Sequence, residues 1–443
     1  MRILYVAGAV VAPGSHGGAT HVLEVASELS KLGHELHVVC RREKDQPARL
    51  TLPVEGGLPI EFYRVRLPQY LNLLSYPWLA RLAKVLKPDL VMERYYNLAG
   101  AGMIYARRHR LPSILEVNAL MVDPPGTKKF LVDKLLFRRL EWWATLQCQW
   151  AGRIVTPLHT TVPKAIDRAK IAELPWGANT ERFNPEKIDP EKQLRLRFQL
   201  GLPDANSGGR VAVFAGSFRH WHGVDILVEA ARRLAPKDDQ LYFLLLGGGP
   251  EEASLRAKVA AYGLEKRVIL TGKIKHERMP TYLSLADCGV APFDTSKHPP
   301  LRAAGFFWSP LKIFEYMALG LPTVTPDLPP LNQIIRPGEE GALFKEGDPQ
   351  SLADALQEIL APGAVAAWER RRMGQSARNR VSREFSWEAH CHSLDQLIQE
   401  LEQENPTAPG SRFGLKKWRI PRLSTIREAS KRAGEFARRK LKR

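Results

Sequence analysis

Short apolar segments alternate with amphipathic helical patterns along most of the chain, and this alternation constrains the fold more than any other feature. The first unit is an apolar strand at 2–7, a Gly-containing loop, a helix at 18–32 that Gly33 ends, and a strand at 35–40. Parallel strands covered on both faces are almost continuously apolar and are joined by helices. The pattern therefore predicts βαβ units and an α/β fold.

The alternation occurs in two series. In the amino-terminal series, further strands are predicted at 89–94, 113–118 and 153–157. The second series has predicted strands at 210–216, 241–248, 267–272, 288–293 and 322–326, and predicted helices at 224–234, 250–262, 277–286, 310–319 and 350–361. A chain of 443 residues is long enough for two or three domains. We predict two doubly wound parallel-sheet domains at 1–185 and 186–384 that face each other across a cleft, a closing helix at 385–404, and a linker and basic helical tail at 405–443.

Composition excludes several classes. Hydrophobic residues make up 44% and charged residues 25%, which is ordinary for a soluble protein. The four cysteines lie far apart in sequence, so neither a disulfide framework nor a metal site is expected. No apolar segment approaches the roughly 20 residues that cross a bilayer. The apolar amino terminus has the length of a signal-peptide core, but β-branched residues before a Gly-rich loop and an amphipathic helix favour a buried strand. A reducing, cytoplasmic location is expected.

The segment "SPLKIFEYMALGLP" at 309–322 predicts a helix with an anion-binding start. Ser309 is a favourable N-cap, Pro310 suits the first helical position, and amides near Leu311 and Lys312 would lack intrahelical partners. Such a helix start attracts phosphate, and Lys312 adds a full positive charge. Glu315 is suited to accept hydrogen bonds from sugar hydroxyls. The alternative is a well-capped structural helix.

Two other strand ends carry candidate ligand loops. Gly17 and Gly18 stand at the entry of the first helix, where they would let a ligand approach the backbone. No G-x-G-x-x-G fingerprint and no phosphate-binding G-K-[ST] loop is present, so nicotinamide chemistry is not expected. The segment "AGSFRHWHG" places Arg219 and His222 at the end of a strand in the second series. An ordinary polar loop is the alternative interpretation.

Several motifs, in this order and spacing, resemble one family: "GGATHVLEVASELSKLGHELHVV", "GANTERFNP", "GSFRHWHGVDILVEA", "VILTGKIKHERMPTYLSLADCGVAPF" and "SPLKIFEYMALGLPTV". They are similar to the retaining nucleotide-sugar glycosyltransferases of the GT-B fold, family four, over about residues 1–402. The resemblance implies transfer of a sugar from a UDP- or GDP-linked donor to a lipid-linked, polysaccharide or other glycan acceptor. The nucleotide diphosphate-sugar is then a co-substrate, and no cofactor and no metal are implied.

The resemblance also implies roles for individual residues. The start of the helix at 310–319 and Glu315 would hold the diphosphate and ribose, the Gly17–Gly18 loop would lie under the diphosphate and sugar, and Asn118 would lie near the sugar. Arg219, Lys312 and Glu315 are the implied catalytic residues, with cationic groups offsetting the charge of the leaving diphosphate. The implied donor-binding residues are Gly17, Gly18, Asn118, Ser217, His222, Lys273, Ile274, Ser309 and Leu311.

Three departures from the family pattern are present. Phe307 replaces the first of two Glu residues, while Ser217 and His222 replace an Arg and a Lys. We therefore expect Arg219, Lys312 and a protonated His222 to offset the diphosphate charge. Two alternatives remain: a nucleotide-sugar epimerase, which has the same two-domain architecture, and an inactive basic adaptor, which the departures at Phe307 and Ser217 suggest.

Basic charge is concentrated near the carboxyl terminus. The segment 411–443 holds 13 Lys and Arg residues and two Glu residues, so it carries +11 of the net +18. A solvated tail and attraction to an anionic membrane are the two main interpretations, and without a recognition motif a nucleic-acid partner is not expected. A basic and apolar helix at 126–150, which an ordinary packed helix would also explain, is a second candidate membrane contact. The basic tail at 411–443 and the segment at 126–150 together predict peripheral attachment to the inner face of a membrane.

Overall fold

Two sheets organise the part of the chain that this computed structural model describes, residues 1–14, 17–204 and 207–404. The strands of the amino-terminal sheet are β1 (Arg2–Val11), β2 (Glu35–Arg41), β3 (Arg49–Leu52), β4 (Ile60–Val65), β5 (Leu90–Arg94), β6 (Ser113–Glu116), β7 (Arg153–Thr156) and β8 (Ile171–Glu173). They lie in the order β3-β4-β2-β1-β5-β6-β7-β8, and neighbouring strands are parallel except for the antiparallel pair β3 and β4. The helices of this half are α1 (Gly17–Lys31), α2 (Tyr76–Leu86), α3 (Ala101–His109), α4 (Lys128–Leu135) and α5 (Arg139–Trp150).

The second sheet is entirely parallel, in the order β11-β10-β9-β12-β13-β14. Its strands are β9 (Arg210–Ala215), β10 (Leu241–Leu246), β11 (Val268–Gly272), β12 (Cys288–Val290), β13 (Thr323–Pro326) and β14 (Gly341–Phe344). The helices that follow α5 in the chain are α6 (Pro190–Gln199), α7 (Val224–Leu234), α8 (Glu252–Ala261), α9 (Met279–Leu283), α10 (Pro299–Ala304), α11 (Leu311–Ala318), α12 (Leu331–Ile334), α13 (Pro349–Ile359), α14 (Ala364–Glu384) and α15 (Trp387–Glu404).

Short 3-10 helices connect these elements at Gln69–Ser75, His159–Thr161, Arg168–Lys170, Pro185–Lys187, His220–His222, His276–Arg278 and Thr295–Lys297. In both sheets the strand order reverses beside the first strand, since β1 lies between β2 and β5, and β9 lies between β10 and β12. Ligands of doubly wound sheets bind at the carboxyl ends of the strands at such a reversal. The start of α1, which contains the predicted Gly17 and Gly18, and the loop after β9, which contains Arg219, therefore follow the strands at which the order reverses.

The predicted pair of parallel-sheet domains is confirmed. Strand β1 is apolar because both of its faces are covered, and Ile3, Leu4, Tyr5 and Val6 are at most 1% exposed. Helix α15 confirms the predicted amphipathic helix near 385–404, and its buried side chains pack in the core of the amino-terminal domain. The predicted linker and basic tail at 405–443 lie outside the described residues.

The prediction of one helix at 126–150 is wrong. The segment forms two helices, α4 and α5, separated by residues 136–138, and the φ angles of Phe137 and Arg138 are 54° and 57°. A left-handed backbone conformation at these two positions interrupts the helix without Gly or Pro. Among the described residues, no helix is both long enough and apolar enough to cross a membrane.

Candidate active site

The start of α11 is organised differently from the prediction. Pro310 occupies the N-cap position without a side-chain cap, so the predicted cap role of Ser309 is wrong. The Ser309 hydroxyl instead accepts a hydrogen bond from the main-chain N–H of Trp176, at 2.9 Å. The N–H of Leu311 donates to the carbonyl of Ser309 at 3.0 Å, whereas the main-chain N–H of Lys312 has no hydrogen-bond partner in the described part of the chain. Ser309 therefore joins the two domains, and one free amide remains at the helix start.

The ammonium group of Lys312 is buried among aromatic side chains. Its Nζ lies 3.9 Å from the ring centroid of Phe214 and 4.8 Å from that of Phe293. A Cβ atom on Gly216 would lie 3.0 Å from Nζ, so the glycine leaves room for the lysine. Nζ has no hydrogen-bond partner among the described residues, and burial lowers the pKa of Lys312 to about 7. A buried ammonium without a hydrogen bond is costly, so this group is suited to a ligand that brings negative charge.

The loop after β9 supplies a second cation. The guanidinium of Arg219 lies 5.1 Å from the ring centroid of Trp221 and forms no hydrogen bond or ion pair with another described residue. The Nδ1 atom of His222 donates a hydrogen bond to the carbonyl of Ser217, at 2.5 Å. Burial and the nearby Lys312 lower the pKa of His222 to about 3. In the ligand-free protein His222 is therefore neutral, contrary to the expectation of a protonated His222. The positive charge of the site comes from Arg219 and from the charged fraction of Lys312.

Glu315 lies one turn into α11, next to the segment that follows β11. Its side chain is 14% exposed, and Oε1 lies 3.1 Å from Nε2 of His276. His276 lies three residues after Lys273 and two after Ile274 in the chain. The side chain of Lys273 lies beside Gly248, just after β10. The fold thus places Glu315 near the predicted nucleotide-base segment. His276 lies in one of the motifs that carry the family resemblance, but the sequence alone gives no signal that it contacts Glu315.

Both ends of the Asn118 side-chain amide are held within the amino-terminal domain. Its Oδ1 accepts a hydrogen bond from Nε1 of Trp176 at 2.6 Å, and its Nδ2 donates to Glu116 at 2.8 Å. Because the main-chain N–H of Trp176 also donates to Ser309, Asn118 is positioned close to the start of α11. The predicted residues Asn118 and Ser309 are therefore brought together through Trp176, which the sequence did not single out.

Glu116 is the centre of a buried polar cluster behind Asn118. Tyr5 donates a hydrogen bond to it at 2.6 Å, Nε2 of His21 lies 2.7 Å from it, and Arg94 forms an ion pair at 3.2 Å. Burial acts to raise the pKa of Glu116, but His21 and Arg94 hold it well below its usual range. The carboxylate is 4% exposed and its oxygens are occupied, so it orients Asn118 and is not free to act as a nucleophile.

The remaining predicted residues lie at the helix entry of α1, at the start of α11 and in the core of the carboxyl-terminal domain. Gly17 begins α1, and a Cβ atom there would meet no other atom within 4 Å, so the helix entry is open to a ligand. Gly18 follows it in the first turn. Leu311 packs against the amino-terminal cluster that contains residues of α1. Phe307, at 3% exposure, lies in the core of the carboxyl-terminal domain and offers no polar group to a sugar. No group of three or more metal-binding side chains occurs among the described residues.

Comparisons with known proteins find similarity to glycosyltransferases. The family model described as Glycosyltransferase Family 4 matches residues 15–182, and the model described as Glycosyl transferases group 1 matches residues 209–362. A 2-deoxystreptamine glucosyltransferase from Streptomyces kanamyceticus is 26% identical over 269 residues, which cover 59% of this chain and 64% of that protein. An amylovoran biosynthesis glycosyltransferase from Erwinia amylovora is 27% identical over 227 residues, which cover 51% of this chain and 52% of that protein. The matches thus span between half and two thirds of these curated relatives.

Solved structures share the fold over nearly the whole described chain. A glycosyltransferase from Rickettsia africae has a TM-score of 0.69 at 18% identity and covers 91% of this chain and 99% of its own. HepE from Anabaena, solved in complex with UDP, has a TM-score of 0.65 at 16% identity, and the match covers 90% of this chain and 100% of HepE. At these identities the likeness concerns the fold, and it confirms the predicted GT-B arrangement of two Rossmann-like domains.

Proposed function

We propose that this chain, which belongs to the group 1 and family 4 glycosyltransferases, transfers a sugar from a nucleotide diphosphate-sugar to a glycan or lipid-linked acceptor. The anomeric configuration of the sugar would be retained. The observation that carries the proposal is the buried ammonium of Lys312, which has no hydrogen-bond partner in the described chain and lies at a helix start with a free amide. A diphosphate would supply both missing partners.

The rest of the donor fits around this anion site. The carboxylate of Glu315 would accept hydrogen bonds from the ribose, and the main chain near Lys273 and Ile274 would contact the base. The open helix entry at Gly17 and Gly18 would lie under the diphosphate and the sugar. Ser217, the neutral His222 and Asn118 would complete the donor contacts.

The proposed reaction needs no protein nucleophile. The bond between the anomeric carbon and the phosphate oxygen breaks while the acceptor hydroxyl oxygen forms a bond to the same carbon from the same face. The proton of that hydroxyl goes to the departing phosphate oxygen, and Lys312, Arg219 and the helix amide stabilise the diphosphate. Glu116, the carboxylate next to Asn118, is occupied by hydrogen bonds and an ion pair, which agrees with a mechanism without a glycosyl-enzyme intermediate.

The acceptor would bind to the amino-terminal domain. A cavity of about 220 Å³ is lined by the loop after β6 and by α4 and α5, and its walls mix apolar Met121 and Phe130 with charged Asp123 and Lys129. Leu120, which precedes this cavity in the chain, packs in the core cluster of the carboxyl-terminal domain, so the cavity lies beside the domain contact. Such a mixed surface suits a hydroxyl-bearing acceptor with an apolar part.

A membrane surface would bring a lipid-linked acceptor to this cavity. The exposed fractions of Leu135 and Phe137 are 76% and 88%, and basic residues of α4 and α5 flank them. Exposed apolar groups beside basic groups are suited to an anionic membrane surface. We propose that α4 and α5, with the basic segment 411–443, attach the protein peripherally to the inner face of a membrane.

Thermal unfolding of the purified protein with UDP, GDP, ADP or NADP tests the proposal. Ligand at about 100 times its dissociation constant adds roughly 2.7 kcal/mol, which gives a shift of a few degrees. We expect UDP or GDP to stabilise the wild type selectively, and Glu315→Ala to lose most of that shift. The matched control is Glu369→Ala on α14, where the glutamate side chain is 41% exposed and pairs only with Arg372 among the described residues. A wild type that none of the nucleotides stabilises would contradict the proposed function.

A further inference from the structure

His276 connects the carboxylate of Glu315 to the amino-terminal domain. Its Nε2 lies 3.1 Å from Oε1 of Glu315, and its Nδ1 lies 3.1 Å from an Nη atom of Arg182. Arg182 in turn lies 3.6 Å from Glu24 on α1, and Asn179 donates a hydrogen bond to the other oxygen of Glu24 at 3.0 Å. These contacts form a continuous polar chain from α1 to α11.

The chemistry of the partners fixes the tautomer of His276. A guanidinium can only donate hydrogen bonds, so the Nδ1 atom that faces Arg182 must accept. The ring proton of the neutral imidazole is then on Nε2, where it donates to the carboxylate of Glu315. The contact with Arg182 therefore fixes the tautomer of His276 in which Nε2 carries the proton and donates it to Glu315.

This hydrogen bond restrains the Glu315 carboxylate without blocking it. Oε1 is engaged by His276, whereas Oε2 has no hydrogen-bond partner among the described residues. A carboxylate that is oriented before the ligand arrives loses less conformational freedom on binding. The ring of His276 is itself fixed against Phe183, with 5.6 Å between ring centroids.

We propose that His276 is a positioning residue for the nucleotide site, because it holds Glu315 in the orientation that receives the ribose hydroxyls of the donor. Arg182 and Glu24 extend this support to α1, the helix that begins at Gly17. The inference rests on the proposed function, since it assigns His276 to the same nucleotide site.

A pair of substitutions separates the two nitrogens of His276. In His276→Gln, the side-chain N–H₂ reaches about the position of Nε2 and can still donate to Glu315. In His276→Asn, the shorter side chain reaches only the position of Nδ1. His276→Ala removes both. Calorimetry gives the dissociation constants of UDP and of 2′,3′-dideoxy-UDP for the wild type and for each variant. If GDP is the nucleotide that stabilises the wild type, GDP and 2′,3′-dideoxy-GDP are used instead.

We expect His276→Ala and His276→Asn to bind UDP about 10-fold more weakly, while His276→Gln stays within about threefold of the wild type. The affinity for dideoxy-UDP should be nearly the same in all four proteins, because it lacks the hydroxyls that Glu315 receives. Equal weakening of both nucleotides would assign His276 a purely structural role and overturn the inference, as would unchanged UDP binding in the Ala and Asn variants.

The same data separate this inference from the proposed function. A wild type that binds UDP and dideoxy-UDP equally would overturn the ribose role of Glu315 and the positioning role of His276, but would leave a nucleotide site in place. A wild type that binds no nucleotide would overturn both proposals.

Discussion

The Nζ atom of Lys312 lies 3.9 Å from the ring centroid of Phe214, in a buried position where it meets no hydrogen-bond acceptor among the described residues. A cation over an aromatic face gains some electrostatic attraction, but this compensates only in part for the loss of water. The charged form is therefore disfavoured before a ligand arrives, and burial lowers the pKa of Lys312 to about 7. This relationship makes the anion site dependent on pH.

The first prediction is that nucleotide diphosphate binding takes up a proton. At pH 8 the lysine is mostly neutral in the free protein, and a bound diphosphate raises its pKa again by favouring the charged form. Calorimetry of UDP or GDP binding at pH 8, in buffers with different ionisation enthalpies, should show uptake of up to one proton. Affinity should fall as the pH rises above 7.

Lys312→Met provides the control because it keeps an unbranched side chain between the aromatic rings and removes the charge. The variant should show no proton uptake assignable to this site. Its free energy of unfolding should also exceed that of the wild type most clearly below pH 7, where the buried charge destabilises the folded wild type. The difference should shrink as the pH rises from 7 toward 10.5. Equal proton uptake in both proteins would show that Lys312 is not the titrating group.

The second prediction concerns stability. Glu116→Gln leaves Arg94 buried without an anionic partner, so the free energy of unfolding should fall by about 3 kcal/mol. Thermal unfolding should show a midpoint several degrees lower, whereas Glu402→Gln, on the exposed face of α15, should unfold like the wild type. Unchanged stability of Glu116→Gln would mean that the cluster around Tyr5, His21 and Arg94 does not depend on the carboxylate charge.

The third prediction tests the membrane surface. Phe137 is 88% exposed between α4 and α5, and Phe198 is 86% exposed on α6 of the other domain. If α4 and α5 contact the membrane, Phe137→Asn should weaken binding to anionic vesicles in a flotation assay roughly 30-fold, because a buried Phe contributes about 2 kcal/mol. Asn also accepts the left-handed backbone at this position.

Phe198→Asn is the matched control and should float like the wild type. Equal effects of the two substitutions, or none from Phe137→Asn, would remove α4 and α5 from the proposed membrane contact. Deletion of 411–443 tests the basic tail separately. Unchanged binding to anionic vesicles would show that the tail is not part of the proposed membrane contact.

The regular elements were predictable where the hydrophobic pattern was strong. Helix α7 has the predicted bounds, because Val224, Leu227, Val228 and Leu234 form one continuous buried face. Strands β3, β4, β8 and β14 were not predicted. Three of them, β3, β8 and β14, lie at the sheet edges and are only three or four residues long. In β4 the charged residues Glu61 and Arg64 interrupt the apolar pattern. Helix α14 was also missed, because its 21 residues are rich in Arg and carry little apolar pattern.

The individual residues of the candidate site were predictable from the sequence, but the hydrogen bonds between them were not. Lys312 and Glu315 could be selected from their spacing in one helix. The support of Glu315 by His276 joins residues 39 positions apart, and Trp176 joins Asn118 to Ser309 across 58 and 133 positions. The contacts of His276 with Glu315 and of Trp176 with Asn118 depend on how distant segments pack within one domain, and the contact of Trp176 with Ser309 depends on how the two domains pack. No local sequence pattern contains this information. The neutral state of His222 likewise follows from burial, which the sequence does not give.

The affinity of the protein for UDP or GDP compared with the corresponding monophosphate tests the central claim most directly. If Lys312 and the α11 amide hold a diphosphate, the wild type should bind the diphosphate at least about 10-fold more tightly, and Lys312→Met should lose most of that preference. A wild type that does not distinguish the two, or a Lys312→Met variant that keeps the full preference, would contradict the account.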